Sequence, residues 1–153
     1  QDIAAAQIIL TRKTFIILSI KNKDNYFDYI TKSEKRNELV IYHGGQYSPS
    51  KKLFLQALAN ASVGTPWYHW GDIDYGGFSM LARLRREIRS DIYPYRMDKQ
   101  ELLTFSSATS SFSSEYGQKL RDLMMQNGLQ DCSECLDYML ECGVRLEQEA
   151  LLE

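Results

Sequence analysis

Short apolar runs alternate with helical segments over the first hundred residues, and this alternation constrains the fold more than any other feature. The runs at 15–20, 39–42 and 67–70 have the length and the β-branched or aromatic content of strands. Each is followed by a segment with apolar residues at helical spacing. Strands that alternate with helices of about 10 to 15 residues form βαβ units. The sequence therefore predicts an α/β fold with a parallel sheet.

Local signals predict where these elements begin and end. Ser48 followed by Pro49 predicts a helix start, because the hydroxyl caps the free N–H groups and proline suits the first helical position. A fourth strand is predicted at 92–97, although Pro94 lacks the N–H that a strand interior uses. We expect a parallel four-stranded sheet flanked by helices.

The pattern changes after residue 98. A short helix at 99–104, a serine-rich segment at 106–114 that reads as a flexible surface loop, and two further helices predict a C-terminal helical extension. Asp131 and Glu134 have the spacing of a capping box at the start of the last helix. We predict three regions: 1–14 as the remnant of a preceding domain or linker, 15–98 as the α/β core, and 99–153 as the extension packed on it. The chain begins at Gln1, so we expect it to be part of a longer polypeptide.

The net charge of the protein is too small to attract a nucleic acid or a membrane by itself. Lys and Arg number 18 against 20 Asp and Glu, for a formal charge of −2. A nucleic-acid partner would therefore need a local basic patch. The apolar runs are too short to span a bilayer and no signal peptide is recognisable, so we expect a cytoplasmic protein without a membrane partner.

Cys132 and Cys135 form a C-x-x-C pair that has two interpretations. It could be half of a zinc site or a redox pair, but a second C-x-x-C and an H-x-x-x-H are missing from the sequence. Both cysteines also lie on the apolar stripe of a predicted helix. Because cysteine is a small residue that favours interiors, we expect them in the core.

The acidic pair Asp72 and Asp74 carries the strongest chemical signal. It directly follows the predicted strand at 67–70, where ligands of open parallel sheets bind. Residues i and i+2 of an extended chain point the same way, so the two carboxylates can share one cation such as Mg²⁺. Gly76 and Gly77 follow and allow backbone to pass close to a ligand. The alternative is that both aspartates only cap the next helix and shape a turn.

Taken together, these motifs resemble the Toprim family. Within it the chain is most similar to the C-terminal domains of JetD proteins, the nuclease subunits of Wadjet defence systems, which are related to the A subunit of topoisomerase VI. The matching segments are 22–27, 44–45, 70–74, 77–78, 95–98 and 146–149. The resemblance implies a DNA-cleaving centre that uses Mg²⁺ or Mn²⁺, in a partner of an SMC-type ATPase complex that acts against foreign plasmids. It also implies a possible homodimer.

Lys21 departs from that family pattern. The family has a glutamate immediately before the residue that matches Asn22, as a metal ligand or general acid or base. A protonated lysine cannot bind a cation. Three explanations remain open: a silencing substitution, a natural loss of activity, or another carboxylate in its place. Glu147 and Glu149 are the candidates for the last, and their alternative is a solvated face of a final helix.

Contact with DNA would need cations near the acidic pair. A basic cluster follows that pair on the next helix, and two lysines lie in the first turn of the helix after residue 48. These candidate DNA-binding residues are Arg83, Arg85, Arg86, Arg89, Lys51 and Lys52. An ordinary solvated face is the alternative. His43 and His69 lie within strand patterns, and we expect hydrogen-bonded core or rim residues there, not catalytic bases.

Three functions follow as hypotheses. The first is a metal-dependent DNA nuclease in which Asp72 and Asp74 hold the cation, with Lys21 at the position of the expected glutamate. The second is a catalytically silent DNA-binding or docking module. The third is a phosphotransferase that uses one aspartate as a nucleophile, which is disfavoured because such enzymes carry the acidic pair on their first strand.

Overall fold

The computed structural model of this 153-residue protein describes residues 8–10, 16–32, 37–126 and 128–152. Phe15, assigned above to the first strand, lies outside the described residues. So does all of the predicted remnant at 1–14 except residues 8–10.

Four parallel strands form the central sheet, in the order β2-β1-β3-β4. The strands are β1 (Ile16–Ile20), β2 (Glu38–Tyr42), β3 (Trp67–Trp70) and β4 (Ile92–Pro94), and the helices between them are α1 (Lys23–Lys32), α2 (Pro49–Ala61) and α3 (Tyr75–Glu87). The predicted α/β class with a four-stranded parallel sheet flanked by helices is confirmed. Because all four strands run the same way, their carboxyl ends meet at one side of the sheet, which we call the carboxyl edge.

Strand register aligns the ends of β1, β2 and β3. Ile20 lies opposite Tyr42 on one side and Trp70 on the other. The central strand β1 is buried, with Ile17 and Ile20 fully excluded from solvent. Phe78 of α3 is also fully buried. Apolar burial of this kind is the main favourable contribution to the free energy of folding.

The helix caps follow local sequence signals. The Ser48 hydroxyl accepts from the N–H of Lys51 at 3.3 Å, and Pro49 occupies the first position of α2, so the predicted helix start is confirmed. The Asn22 side-chain oxygen accepts from the N–H groups of Asp24 and Asn25 in the first turn of α1. The Asn22 cap thus begins α1 directly beyond β1, at the carboxyl edge, whereas the Ser48 cap begins α2 after the loop that follows β2.

A helical part follows β4, as predicted. It contains α4 (Lys99–Thr104), α5 (Ser114–Met124) and α6 (Ser133–Cys142), together with the two-residue antiparallel strands β5 (Ser110–Ser111) and β6 (Val144–Arg145). Helix α5 packs on α3 and α6. The Tyr116 hydroxyl accepts from the N–H of Tyr75 at 2.7 Å, which joins α5 to the start of α3.

Several local predictions are corrected. The predicted serine loop contains a 3₁₀ turn, Ser106–Ala108, and strand β5. Strand β4 ends at Pro94 because Arg96 adopts a left-handed φ of 51°, which turns the chain out of the strand. The capping box does not form, since the Asp131 carboxylate binds Arg85 instead. The predicted final helix is only the 3₁₀ turn Gln148–Leu151.

The cysteine pair belongs to the core. Cys132 and Cys135 are buried, and burial raises the pKa of both thiols to about 12. Protonated thiols bind metals poorly and are weak nucleophiles, which agrees with the predicted core role. Among the described ranges, no helix combines the length and the apolar character needed to cross a bilayer.

Candidate metal centre at the carboxyl edge

Asp72 is a buried carboxylate just beyond the end of β3. Only 2% of the residue is exposed to solvent. Its Oδ1 accepts from the backbone N–H of Gln148 at 2.9 Å. Its Oδ2 forms an ion pair with the ammonium of Lys21. Lys21 is the first residue after β1, the strand that neighbours β3 in the sheet. A buried carboxylate is costly without such partners, so Lys21 supplies the counter-charge here.

Asp74 is the N-cap of α3. Its Oδ1 accepts from the N–H of Gly77 at 2.6 Å. The partial positive charge of the helix N-terminus stabilises this carboxylate. The alternative interpretation of the acidic pair as helix caps is therefore correct for Asp74 but not for Asp72, whose oxygens bind Gln148 and Lys21.

Glu147 reaches the same place from the C-terminal part of the chain. Leu146 and Ile73 form an antiparallel bridge, with N–H to carbonyl distances of 2.9 and 3.0 Å. This bridge places Glu147 beside the acidic pair. Carboxylate oxygens of Asp72, Asp74 and Glu147 lie within 4.8 Å of one another. We call these three residues the acidic cluster.

Gln148 connects the C-terminal segment to the start of α1 by hydrogen bonds. Its side-chain oxygen accepts from the N–H of Asn22 at 3.0 Å, and its carbonyl accepts from the Asn25 side chain at 2.9 Å. Sequence reasoning assigned no role to Gln148 or Asn25, because each has polar or charged neighbours that hide its burial. Glu149, the other carboxylate predicted as a substitute ligand, accepts from the Asn22 side-chain amide and is not part of the acidic cluster.

The donor set of the acidic cluster fits a hard divalent cation. Mg²⁺ and Mn²⁺ prefer carboxylate oxygens and keep several water ligands. Asp72 is buried, Asp74 is half-buried and Glu147 is exposed, so one side of the cluster is open to solvent and to a ligand. Lys21 contributes no ligand, and its ammonium occupies one oxygen of Asp72. A cation would therefore have to compete with Lys21 for that oxygen.

Two histidines lie beneath this edge as neutral core residues. The His69 Nδ1 lies 2.9 Å from the Ser19 hydroxyl, and the His43 Nδ1 donates to the Gly44 carbonyl at 2.9 Å. Burial lowers the pKa of His43 to about 4. Burial, and to a lesser extent the electrostatic repulsion from His43 and Lys21, lowers the pKa of His69 well below its usual value. The predicted hydrogen-bonded core histidines are confirmed.

The basic residues of α3 do not form one free face. The Arg85 guanidinium binds Asp131 through two contacts of 2.7 Å and also donates to the Ile92 carbonyl at 2.8 Å. Arg89 pairs with Asp91. Arg86 is exposed, and it has no ion-pair partner among the described residues. Because the carboxylates of Asp131 and Asp91 engage Arg85 and Arg89, Arg86 is the arginine of this group that remains available to a phosphate.

Structural roles also account for two of the remaining cations. Arg83 and Lys52 both approach the Glu87 carboxylate, at 3.3 and 3.5 Å. The ammonium of Lys51 donates to the carbonyl of His43, which follows β2. Of the predicted basic residues, Lys51 is the one placed beside a strand end of the carboxyl edge.

Arg85→Ala is expected to lower the free energy of unfolding by about 2 kcal/mol, because it removes charge-assisted hydrogen bonds and leaves the Ile92 carbonyl without its donor. Arg86→Ala is the matched control on the same helix and is expected to change stability by less than about 0.5 kcal/mol. Urea denaturation of both variants measures the difference. Equal stability of the two variants would contradict the structural role of Arg85.

Comparison with known proteins identifies the family of this chain. The family model described as "Wadjet protein JetD, C-terminal" matches residues 3–153. The Wadjet protein JetD of Bacillus cereus (strain Q1) is 31% identical over 140 residues, which cover 89% of this chain and 33% of that protein. The chain thus spans about a third of the length of this curated relative. Because the family model covers nearly the whole sequence, the chain belongs to the family of JetD C-terminal domains.

Proposed function

We propose that this domain is the cleavage centre of a divalent-metal-dependent DNA endonuclease of the Toprim type, acting in a Wadjet-like defence system. The observation that carries the proposal is the convergence of three carboxylates from two segments, residues 72–74 and residue 147, at the carboxyl edge of a parallel sheet. Family membership supports the defence role. An SMC-type ATPase complex as partner, a homodimer and a plasmid target belong to the same proposal.

Asp72, Asp74 and Glu147 would hold Mg²⁺ or Mn²⁺. The bound cation would supply Lewis-acid stabilisation of the charge that develops on a phosphodiester during hydrolysis. The chain itself orients the ligands: Gln148 fixes one oxygen of Asp72, and Gly77 fixes one oxygen of Asp74. These backbone donors set the direction of both carboxylates before a ligand arrives, which lowers the cost of binding.

The phosphates of the DNA would be bound by Lys51 and Arg86. Lys51 is in the first turn of α2, and its ammonium contacts the His43 carbonyl just beyond β2 at the carboxyl edge. Arg86 is exposed in the last turn of α3, about 16 Å along the helix from its start, so it would contact a phosphate farther along the DNA backbone. Such contacts give affinity that falls with salt and does not depend on sequence. Arg83, Arg85, Arg89 and Lys52 are engaged within the protein.

Plasmid nicking tests the proposal. The protein is incubated with supercoiled plasmid and Mn²⁺, and open-circular product is measured with and without EDTA. Asp72→Asn and Asp74→Asn preserve side-chain shape, and the asparagine at position 74 still caps α3. Both variants are expected to reduce nicking more than about a hundredfold. Nicking that survives both substitutions, or that persists in EDTA, overturns the nuclease assignment.

A catalytically silent DNA-binding or docking module is the second candidate function. The ion pair between Lys21 and Asp72 favours it, because the ammonium already neutralises the most buried carboxylate of the acidic cluster. This candidate predicts salt-sensitive plasmid binding and no nicking with either Mg²⁺ or Mn²⁺. The nicking experiment therefore separates the two functions.

Glu147→Gln is expected to weaken Mn²⁺ binding about tenfold, because it removes one charged ligand from the acidic cluster. Glu149→Gln is the matched control two residues away. Its side chain binds Asn22, so Mn²⁺ affinity is expected to stay within about twofold of the original protein. Isothermal titration calorimetry measures both. If the two variants lose affinity equally, Glu147 is not a specific ligand.

A further inference from the structure

A row of aromatic rings lies on α1 and at the end of β2. Tyr26 connects the other two rings, at centroid distances of 5.4 Å to Phe27 and 5.8 Å to Tyr42. Phe27 is 49% exposed and Tyr42 is 44% exposed, although both are large apolar side chains. Exposed aromatic groups that adjoin one another indicate a surface with a binding role.

Two ammonium groups accompany the exposed rings. The Lys23 Nζ lies 6.0 Å from the centre of Phe27, and the Lys51 Nζ lies 5.9 Å from the centre of Tyr42. Within the described part of the chain, neither lysine forms an ion pair with a carboxylate. Tyr26, Phe27, Tyr42, Lys23 and Lys51 together are called the aromatic strip. It combines flat apolar surface with positive charge that the protein does not neutralise.

The aromatic strip lies beside the acidic cluster. Tyr42 is opposite Ile20, and Ile20 is opposite Trp70, two residues before Asp72. Two strand spacings separate Tyr42 from Trp70, or about 10 Å. The adjacent Gly45 has open space where a side chain would be, so backbone is accessible there. A strand bound at the acidic cluster would therefore reach the strip within a few nucleotides.

We propose that the aromatic strip binds unpaired DNA bases, so that the substrate passes the acidic cluster as a single or locally unpaired strand. Bases stack on exposed aromatic side chains, while cations between them contact the backbone. Base pairs within a duplex keep their faces stacked on each other and offer none to Phe27 and Tyr42. The inference depends on DNA being the ligand, as in the proposed function, and it adds which form of DNA is bound.

Fluorescence anisotropy with a labelled 20-nucleotide oligo(dT), and with the same strand in a duplex with oligo(dA), tests the inference. The measurements use the whole chain in EDTA and low salt. The single strand is expected to bind at least about tenfold more tightly than the duplex. Phe27→Ala and Tyr42→Ala are each expected to weaken single-strand binding at least about fivefold.

Tyr93→Ala is the matched control. Tyr93 is 48% exposed, like Tyr42, but lies on β4 at the opposite side of the sheet. Its loss is expected to leave oligonucleotide affinity within about twofold. Equal binding of duplex and single strand, or equal effects of Tyr42→Ala and Tyr93→Ala, overturns the inference.

Two further measurements keep this test separate from the nuclease test. Lys23→Gln with Lys51→Gln leaves the rings in place and is expected to reduce the salt slope of log K by about 1.4 for a single strand. Asp72→Asn with Asp74→Asn is expected to preserve binding in EDTA even where it abolishes nicking. If the original protein prefers single strands but does not nick plasmid, only the proposed nuclease function is contradicted. If the salt slope of the lysine variant is unchanged, the proposed binding of DNA by the aromatic strip is contradicted.

Discussion

Lys21→Glu is expected to increase the Mn²⁺ affinity of the acidic cluster at least about a hundredfold and to give plasmid nicking above that of the original protein. The substitution removes the ammonium that binds Asp72 and places a carboxylate at the end of β1. At about 4 Å and an effective dielectric constant near 20, one pair of unit charges interacts by ~4 kcal/mol. Replacing a positive by a negative charge beside a divalent ion therefore exceeds the ~2.8 kcal/mol of a hundredfold change.

Lys21→Gln separates the two effects of this change. It removes the competing charge without adding a ligand, so its Mn²⁺ affinity is expected to lie between those of the original protein and Lys21→Glu. Without metal, Lys21→Glu brings two carboxylates together, and its melting temperature should fall and then recover when Mn²⁺ is added. Calorimetry, thermal melting and plasmid nicking measure the three consequences. Unchanged Mn²⁺ affinity in Lys21→Glu would show that the end of β1 does not belong to the centre.

Gly77→Ala is expected to lower the free energy of unfolding by more than about 3 kcal/mol. A Cβ at this position would lie 1.9 Å from the carbonyl oxygen of Asp72 and 2.9 Å from its carbonyl carbon. Both atoms are backbone, so α3 must move away from the end of β3, and the change belongs to the severe class of core substitutions. The same movement displaces Asp72 from the N–H of Gln148. Mn²⁺ affinity should therefore fall together with stability.

Gly76→Ala is the matched control one residue earlier. A Cβ there would meet only the Asp74 carboxylate, at 3.4 Å or more. Alanine is the better helix former by up to ~1 kcal/mol, so this variant is expected to be equally or slightly more stable. Urea denaturation compares the two variants. A Gly77→Ala protein as stable as Gly76→Ala would contradict the close approach of α3 to β3.

The position of Lys21 connects the chemical predictions. The Toprim resemblance implies a glutamate at the end of the first strand, and here a lysine ammonium binds the buried aspartate instead. The protein thus carries its own cation where the acidic cluster would otherwise need one. Because Glu147 adds a third carboxylate from the C-terminal segment, the cluster keeps a donor set suitable for a metal. We expect competition between Lys21 and the metal to decide which proposed function applies.

The sheet could be predicted from the sequence because its signals are local. Apolar runs of strand length and helical spacing between them gave the four strands and their parallel arrangement, and β3 has the predicted limits. Ser48 and Pro49 marked the start of α2 correctly. The position of Asp72 and Asp74 beyond β3 followed from the same pattern. Hydrophobic periodicity and cap chemistry act over a few residues, so one sequence is enough to reveal them.

Contacts between distant segments could not be predicted in this way. The capping box does not form because the Asp131 carboxylate binds Arg85, which lies 46 residues away in the sequence. No local sequence pattern predicts that ion pair. For the same reason, the sequence did not reveal that Arg83, Arg85 and Arg89 each form an ion pair within the protein. Sequence placed Glu147 and Glu149 on equal terms, and the structure distinguished them through the bridge of Leu146 to Ile73.

Local patterns were enough to predict the α/β class, the succession of strands and helices along the chain, and the acidic pair just beyond β3. Three features emerged only from the folded arrangement: the third carboxylate that joins this pair, the neutralisation of Asp72 by Lys21, and the surface that Phe27 and Tyr42 form with two lysines. The physical reason is the range of the forces involved. Strand and helix preferences are set by neighbours along the chain, whereas ion pairs and ring contacts depend on packing that brings residues from separate segments together.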